Sequence, residues 1–301
     1  MFKLIPRLKP YYTFSDWIAV FNILKKNPIE KYEEEFSKKF ENNYGVMFQH
    51  GRTGVYALLK VWGLEEDEVI CPAYTCVVVP NAIVLSGNVP VFVDSAKDGF
   101  NMDLELLEQS ITEKTKVIYL IHNFGFPHKK LIEYRQLCDE KGIVLIEDCA
   151  FAFDSFDKDI RLGTIGDFTI YSIPKILPLD YGGILRFKNK NLSNKLISTL
   201  PMESINSISK WIIKLEDMKL KRQKNYNFLE RNINEKSIYG KIKNVNPFMF
   251  GIYTENFQDY YNSLQKYELG QTHVKNEFHI PVNQFIESDE YTDLIKKVNN
   301  D

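Results

Sequence analysis

No stretch of these 301 residues stays apolar over the roughly 18 positions that a membrane-spanning helix needs. The opening MFKLIPRLKPYY also lacks the long apolar centre of a secretion signal. A soluble cytoplasmic protein with no membrane partner is therefore expected. Neither sign of charge is in excess: 38 Lys and Arg stand against 40 Asp and Glu, a net charge of −2. With no basic face evident, nucleic acid is not an expected partner. Cysteine is sparse. Cys71, Cys76, Cys138 and Cys149 fall within apolar segments without CxxC spacing, which predicts buried reduced thiols rather than disulfides or a metal site. Internal repeats and low-complexity tracts are lacking too, so solenoid and linker-like architectures do not apply.

What is present is a globular composition, 44% hydrophobic and 26% charged, long enough for one large domain and a smaller one. Residues Phe14–Phe40 read as helical. From Tyr44 short apolar runs alternate with amphipathic stretches. The runs are VMFQ, Glu68–Tyr74, Val89–Asp94, Lys116–Gly125, Gly142–Asp148, Asp167–Ile173 and Gly182–Phe187. Helices are expected between them at Thr53–Gly63, Cys76–Ser86, Asp103–Ile111 and Lys129–Lys141. Strands apolar on both faces, separated by helices, predict an α/β fold with a mainly parallel sheet covered on both sides. Ligands of such sheets bind beyond the carboxyl ends of the strands, where His122, Asn123, Asp148, Ser172 and Lys175 fall. After Lys188 the chain turns polar, then reads as a long helix at Lys210–Asn232, a strand-like PFMFGIY and a helix at Glu255–Leu269. The expected division is 1–188 for a large domain and 189–301 for a connecting helix and a small C-terminal α/β domain.

Each chemically suggestive residue also has a plain structural reading. Gly51-Arg52-Thr53 opens a helix, where free N–H groups and a hydroxyl make a phosphate cup, or where Thr53 simply caps a turn. Asp148 ends an apolar strand and either caps the next element or faces a positive group. Glu147, its neighbour, points to the other side of the strand, so the two are not an acid/base pair. His122 is a structural histidine or a proton carrier. Met218–Lys224 reads as a solvated helix face, and Tyr74 and Cys76 as core. Lys175 stands between two prolines in YSIPKILPLDYGG. An amine in apolar surroundings has a lowered pKa and attacks carbonyls. Together, a phosphate cup, a strand-end carboxylate and a desolvated lysine are the parts of a pyridoxal 5′-phosphate site.

In this order, GRTGVYALLKVWGL, DEVICPAYTC, GNVPVFVD, VIYLIHNFGFP, VLIEDCAFAF and YSIPKILPLDYGGIL resemble the DegT/DnrJ/StrS family of sugar aminotransferases, over roughly Phe14 to Phe187. The resemblance implies a homodimeric pyridoxal-phosphate enzyme of the aspartate-aminotransferase fold (fold type I). It implies transfer of an amino group, usually from glutamate, to a nucleotide-linked keto-sugar for surface polysaccharide, lipopolysaccharide or antibiotic sugars. Lys175 matches the Schiff-base lysine and Asp148 the partner of the pyridine nitrogen. Gly51, Arg52, Thr53 and Ser172 match phosphate contacts. Cys76 occupies the place of a ring-stacking aromatic, with Tyr74 its aromatic neighbour. Phe151 replaces a Gln or His, and Tyr181 an acidic residue before Gly-Gly. With Phe151 unable to hydrogen-bond, Asn123 becomes either the donor to the cofactor's 3-oxygen or a residue that merely shapes its turn. The Gly-x-Asn-x-Arg pattern after the lysine strand is lacking. A non-catalytic cofactor-binding relative, or an aminotransferase for a small non-sugar carbonyl compound, are the alternatives.

Overall fold

The computed structural model describes residues 44–97, 99–176, 182–188, 196, 215–253, 277–282 and 287–299. The helices expected at Phe14–Phe40 and Glu255–Leu269, and Tyr181, lie outside them. Strands β1 (Tyr44–Phe48), β2 (Glu68–Pro72), β3 (Val89–Val93), β4 (Thr115–Ile121), β5 (Val144–Asp148), β8 (Phe168–Ser172) and β9 (Gly183–Phe187) form one sheet in the order β1-β9-β8-β5-β4-β2-β3. From β8 to β3 every pairing is parallel, whereas β9 runs against both β8 and β1. The expected mainly parallel sheet is present.

Helices α1 (Gly51–Val61), α2 (Val78–Leu85), α3 (Leu104–Gln109) and α4 (Leu131–Lys141) cross between the strands. Their ends follow local chemistry. The Asp103 side chain accepts from the N–H groups of Glu105 and Leu106, satisfying two free donors of α3. Gly142, at φ 67°, closes α4 in the left-handed conformation that glycine adopts without strain. The strand expected at Lys116–Gly125 stops at Ile121, where Asn123–Gly125 forms a tight 3-10 turn. A two-residue pairing of β6 (Phe156–Asp157) with β7 (Ile160–Arg161) has too little pattern to be read from sequence.

Alternation along the strands sorts the core into two layers. Val69, Cys71, Val117, Tyr119, Ile121, Ile146 and Ile170 bury against α1 and α2. Ile70, Ile118, Leu120, Leu145, Cys149 and Tyr171 bury against α3 and α4. Because both faces are apolar, hydrophobicity alone does not fix the register. The polar pair at the end of β5 does so: a slip of one residue would exchange Glu147 and Asp148 between layers that offer them different partners.

A third cluster forms around α5 (Leu215–Asn232), the antiparallel pair β10 (Met249–Tyr253) with β11 (Glu277–Pro281), and α6 (Thr292–Val298). It takes in Phe100, Phe124 and Phe126 from loops of the sheet layer. The helix expected at Lys210–Asn232 is described from Leu215. Its Met218–Lys224 stretch is not the solvated face expected, since Met218, Lys219 and Arg222 are buried. The segment packs back on the sheet end. Among the described residues, no helix is long and apolar enough to cross a membrane.

Candidate active site

Two neighbouring parallel strands deliver the central residues. Strand β5 ends on Asp148, and β8, paired to it through Asp148 and Ile170, runs into the turn Ile173–Lys175. The two side chains lie close enough for the Lys175 charge to act on the Asp148 carboxyl. Asp148 is buried, with Oδ2 accepting from the Tyr119 hydroxyl at 2.6 Å and Oδ1 from the Ala150 N–H at 2.8 Å. Burial raises the Asp148 carboxyl above its ordinary value, more than those two donors and Lys175 lower it. Such a carboxylate gains from a further positive partner.

Lys175 is half-buried, with Nζ 5.1 Å from the centre of the Phe151 ring. Behind that ring lies Phe248, at 4.6 Å between centroids, and the Arg222 guanidinium sits over Phe248 at 5.3 Å. Arg222 also donates to the Lys175 carbonyl at 3.4 Å. Two aromatic rings thus tie the lysine turn to α5 and to the segment that enters β10.

The Gly51-Arg52-Thr53 start of α1 is brought to the same strand ends. A Cβ on Gly51 would lie 2.9 Å from Ile170 Cγ2, and Ile170 is the residue paired with Asp148. Gly183, opposite Ser172 in the sheet, approaches so closely that a Cβ there would sit 2.6 Å from Gly51 Cα. His50 stands at the N-cap and, among the described residues, no side chain caps the helix, so the N–H groups of Gly51 and Arg52 are open to an anion. Thr53 does not act as the cap; its N–H donates to the His50 carbonyl at 3.0 Å.

Other expected residues are placed elsewhere. The Asn123 amide donates to the Phe100 carbonyl at 3.3 Å, and its side chain lines a small cavity with Pro127, Lys129 and Tyr239. None of these belongs to the Lys175–Asp148 group. In this structure the Phe100 carbonyl in the neighbouring loop takes the Asn123 amide, which is the turn-shaping arrangement of the two that the sequence allows. Tyr74 packs its ring 4.8 Å from Phe100. Cys76 is exposed, against the expectation of four buried thiols, because it lies in the loop ahead of α2 rather than in β2; Cys71, Cys138 and Cys149 are buried.

His122 and Glu147 form a buried structural pair on the opposite face. His122 Nδ1 accepts from the His128 N–H at 3.1 Å, so Nε2 carries the proton and donates to Glu147 at 2.9 Å. Glu147 also accepts from the Gly163 and Gly166 N–H groups. Burial raises the Glu147 carboxyl, but the His122, Gly166 and Gly163 donors outweigh it and hold the group below its ordinary value. Cys149 brings its sulfur near these two residues, yet Glu147 already has three donors. Two residues escaped the sequence reading. Tyr119 carried one signal, a hydroxyl inside a strand buried on both faces, which requires a partner. Phe248 carried none.

The geometry matches the parts that pyridoxal phosphate requires: an uncapped helix start for a phosphate, a buried carboxylate in want of a cation, and an amine at the next strand end. Comparison with known proteins agrees. The model of the DegT/DnrJ/EryC1/StrS aminotransferase family matches residues 20–226, and the chain belongs to that family, which is pyridoxal-phosphate-dependent. GDP-perosamine synthase of Escherichia coli O157:H7 is 33% identical over 188 residues, which is 61% of this chain and 50% of the relative. GDP-perosamine synthase of Vibrio cholerae is 31% identical over 145 residues, 48% of this chain and 39% of the relative. The chain thus spans half or less of the length of these curated relatives. Helicobacter pylori PseC, an aminotransferase of pseudoaminic acid biosynthesis, shares the fold with a TM-score of 0.87 at 16% identity, over 99% of both chains.

Proposed function

We propose that this family member is an aminotransferase that moves an amino group, from a donor such as glutamate, to a keto-sugar carried on a nucleotide. The observation that carries the reading is the convergence of Lys175, Asp148 and the uncapped start of α1 on adjacent strand ends. The E. coli and V. cholerae relatives, named as synthases of a GDP-linked amino sugar, support the substrate class. Surface-polysaccharide or lipopolysaccharide synthesis is the context that fits such a product.

Pyridoxal phosphate, when bound, supplies an electron sink for the bond next to the transferred nitrogen. The residues of this chain do the rest. Lys175 would hold the cofactor through Nζ, and the same nitrogen would carry a proton to and from the substrate carbon. Asp148 would face the ring nitrogen and, as a carboxylate, would keep it protonated. The N–H groups of Gly51 and Arg52, with the hydroxyls of Thr53 and Ser172, would receive the phosphate. Cys76, which the family resemblance sets at the ring-stacking position, is exposed in the loop ahead of α2 and would give the ring at most a small contact, and Tyr74 is turned to Phe100. In this reading 1–188 forms the cofactor-binding domain and 189–301 its cover, in a cytoplasmic homodimer. The absence of disulfides among the four thiols fits a reducing compartment.

The test incubates purified protein with pyridoxal phosphate, glutamate and a panel of nucleotide-linked keto-sugars, read by mass spectrometry. Gain of an amino group by one of them supports the reading. Firm cofactor binding with no amino product from any sugar, but product from a simple keto acid, would shift the substrate away from sugars. No product at all would make the chain a binding relative.

A further inference from the structure

We propose that Tyr119 is a positioning residue for Asp148: its phenol holds the carboxylate charged and in one orientation, aimed at the protonated ring nitrogen of the cofactor. This inference rests on the pyridoxal-phosphate reading above and concerns a residue that touches neither cofactor nor substrate.

The juxtaposition is built by register. Strands β4 and β5 pair Ile121 with Asp148 and Tyr119 with Ile146, so Tyr119 lies on the same face as Asp148, one side-chain repeat back from the strand end. Its ring fills the core layer beneath α1 and is 1% exposed. From there the hydroxyl reaches forward to Oδ2 at 2.6 Å, a distance typical of a hydroxyl donating to a carboxylate. The Ala150 N–H takes Oδ1 at 2.8 Å. Each oxygen accepts one donor and keeps a second lone pair, so the carboxylate is fixed at both ends while still able to receive an N–H from beyond the strand end.

The direction of the proton is settled by the surroundings. The titratable groups whose charge reaches the pair are Cys71 in the same core layer, Lys175 from the turn after β8, and, from the other side of the sheet, His122 and Cys149. Burial and the neighbouring Asp148 charge drive the Tyr119 phenol well above its ordinary range, so it stays a donor. Without that donor, Asp148 would face its burial with one backbone hydrogen bond and the Lys175 charge. A neutral carboxyl there could not hold a proton on the ring nitrogen. In this chain, a phenol in an otherwise apolar strand maintains the charge on which the cofactor's electron withdrawal depends.

The test is Tyr119→Phe, which removes one oxygen and keeps the packed ring. Infrared titration of cofactor-free protein carrying labelled aspartate, with Asp148→Asn as the assignment control, should place the Asp148 midpoint about one pH unit or more higher in Tyr119→Phe. Site-specific 3-fluorotyrosine at position 119, a stronger donor of nearly the same shape, should move it below wild type. It also serves if Tyr119→Phe fails to fold. With pyridoxal phosphate added, Tyr119→Phe should bind at least about tenfold more weakly and lose activity on the acid limb of its pH profile. An unmoved midpoint overturns the inference even if the variant is less stable. Wild-type protein that never takes up the cofactor sinks the reading of function and this inference with it; normal uptake with an unmoved midpoint sinks this inference alone.

Discussion

The Nζ of Lys175 lies 5.1 Å from the ring centre of Phe151, three residues beyond the Asp148 with which it shares the strand-end site. The ring offers the Lys175 side chain a negative π face. Phe151 in turn rests on Phe248, so the arrangement extends into the third core cluster. Phe151→Leu keeps much of the apolar volume and removes the π face. It is expected to weaken binding of pyridoxal phosphate about threefold to thirtyfold, in keeping with about 0.5–2 kcal/mol for such a contact. Spectrophotometric titration of cofactor into the purified variant measures this, and wild-type affinity would show the ring to be packing only.

Lys175→Ala is expected to leave the fold intact, since the side chain is half-buried at a turn. Borohydride treatment should fix pyridoxal phosphate to the peptide containing Lys175 in wild type and to no peptide in the variant. Transamination should fall by at least about 10³-fold, with covalent attachment and proton transfer lost together. A reduced adduct on any other lysine of the wild-type protein would overturn the assignment.

Asp148→Asn preserves shape but not charge. Cofactor uptake should persist in part, while transamination falls by roughly a hundredfold or more, the usual cost of losing a preorganised charge. Steady-state kinetics against the wild type decide the matter. Near-normal turnover would reduce Asp148 to a partner of Ala150 and Tyr119.

Gly183→Ala tests the join between β9 and α1. The added Cβ would meet backbone, 2.5 Å from the His50 carbonyl carbon and 2.6 Å from Gly51 Cα, so the helix start itself must move. A cost of about 1–3 kcal/mol or more is expected, as for other overpacked cores. Urea unfolding reports the cost, and loss of phosphate affinity should accompany it. Full stability would mean that α1 can shift freely along the sheet.

His128 is expected to give the protein a pH dependence. Burial, followed by the nearby His122 and Lys130, lowers its imidazole from 6.5 to about 3. Among the described residues its Nε2 has no hydrogen-bond partner, while Nδ1 accepts from the Lys130 N–H at 3.4 Å. Below pH 6.5 the unfolded chain takes up a proton that the folded one refuses. The associated stability is full above 6.5 and is lost as pH falls toward 3, at up to about 1.4 kcal/mol per pH unit. His128→Asn, which keeps an acceptor but cannot titrate, should flatten that slope. Urea unfolding of both proteins between pH 4.5 and 7.5 checks it, and equal slopes would refute the role given to this histidine.

The sequence alone decided the alternation of strands and helices, since a β-branched run and an amphipathic stretch each carry their own period. It also decided which residues stand at the strand ends. Apolar runs stop where Asp148 and Ser172 begin, and the Gly51 turn had to open a helix. Chain order and side-chain period separate Glu147 from Asp148 without any coordinates.

Only the tertiary structure decided what those residues meet. Tyr119 reaches Asp148 because β4 and β5 pair Ile121 with Asp148, and register between strands is a long-range property that no local pattern encodes. The Asn123 amide could serve the site or its own turn equally well by sequence. It went to Phe100 because that loop, 23 residues earlier, places a carbonyl in reach. Cys76 turned outward, although its segment is apolar, because β2 ends at Pro72 and α2 begins only at Val78. Arg222, read as part of a solvated face, is buried at the lysine turn because α5 packs against residues more than forty positions away. In each case the residue type limited the possible partners, and the packing of distant segments selected one.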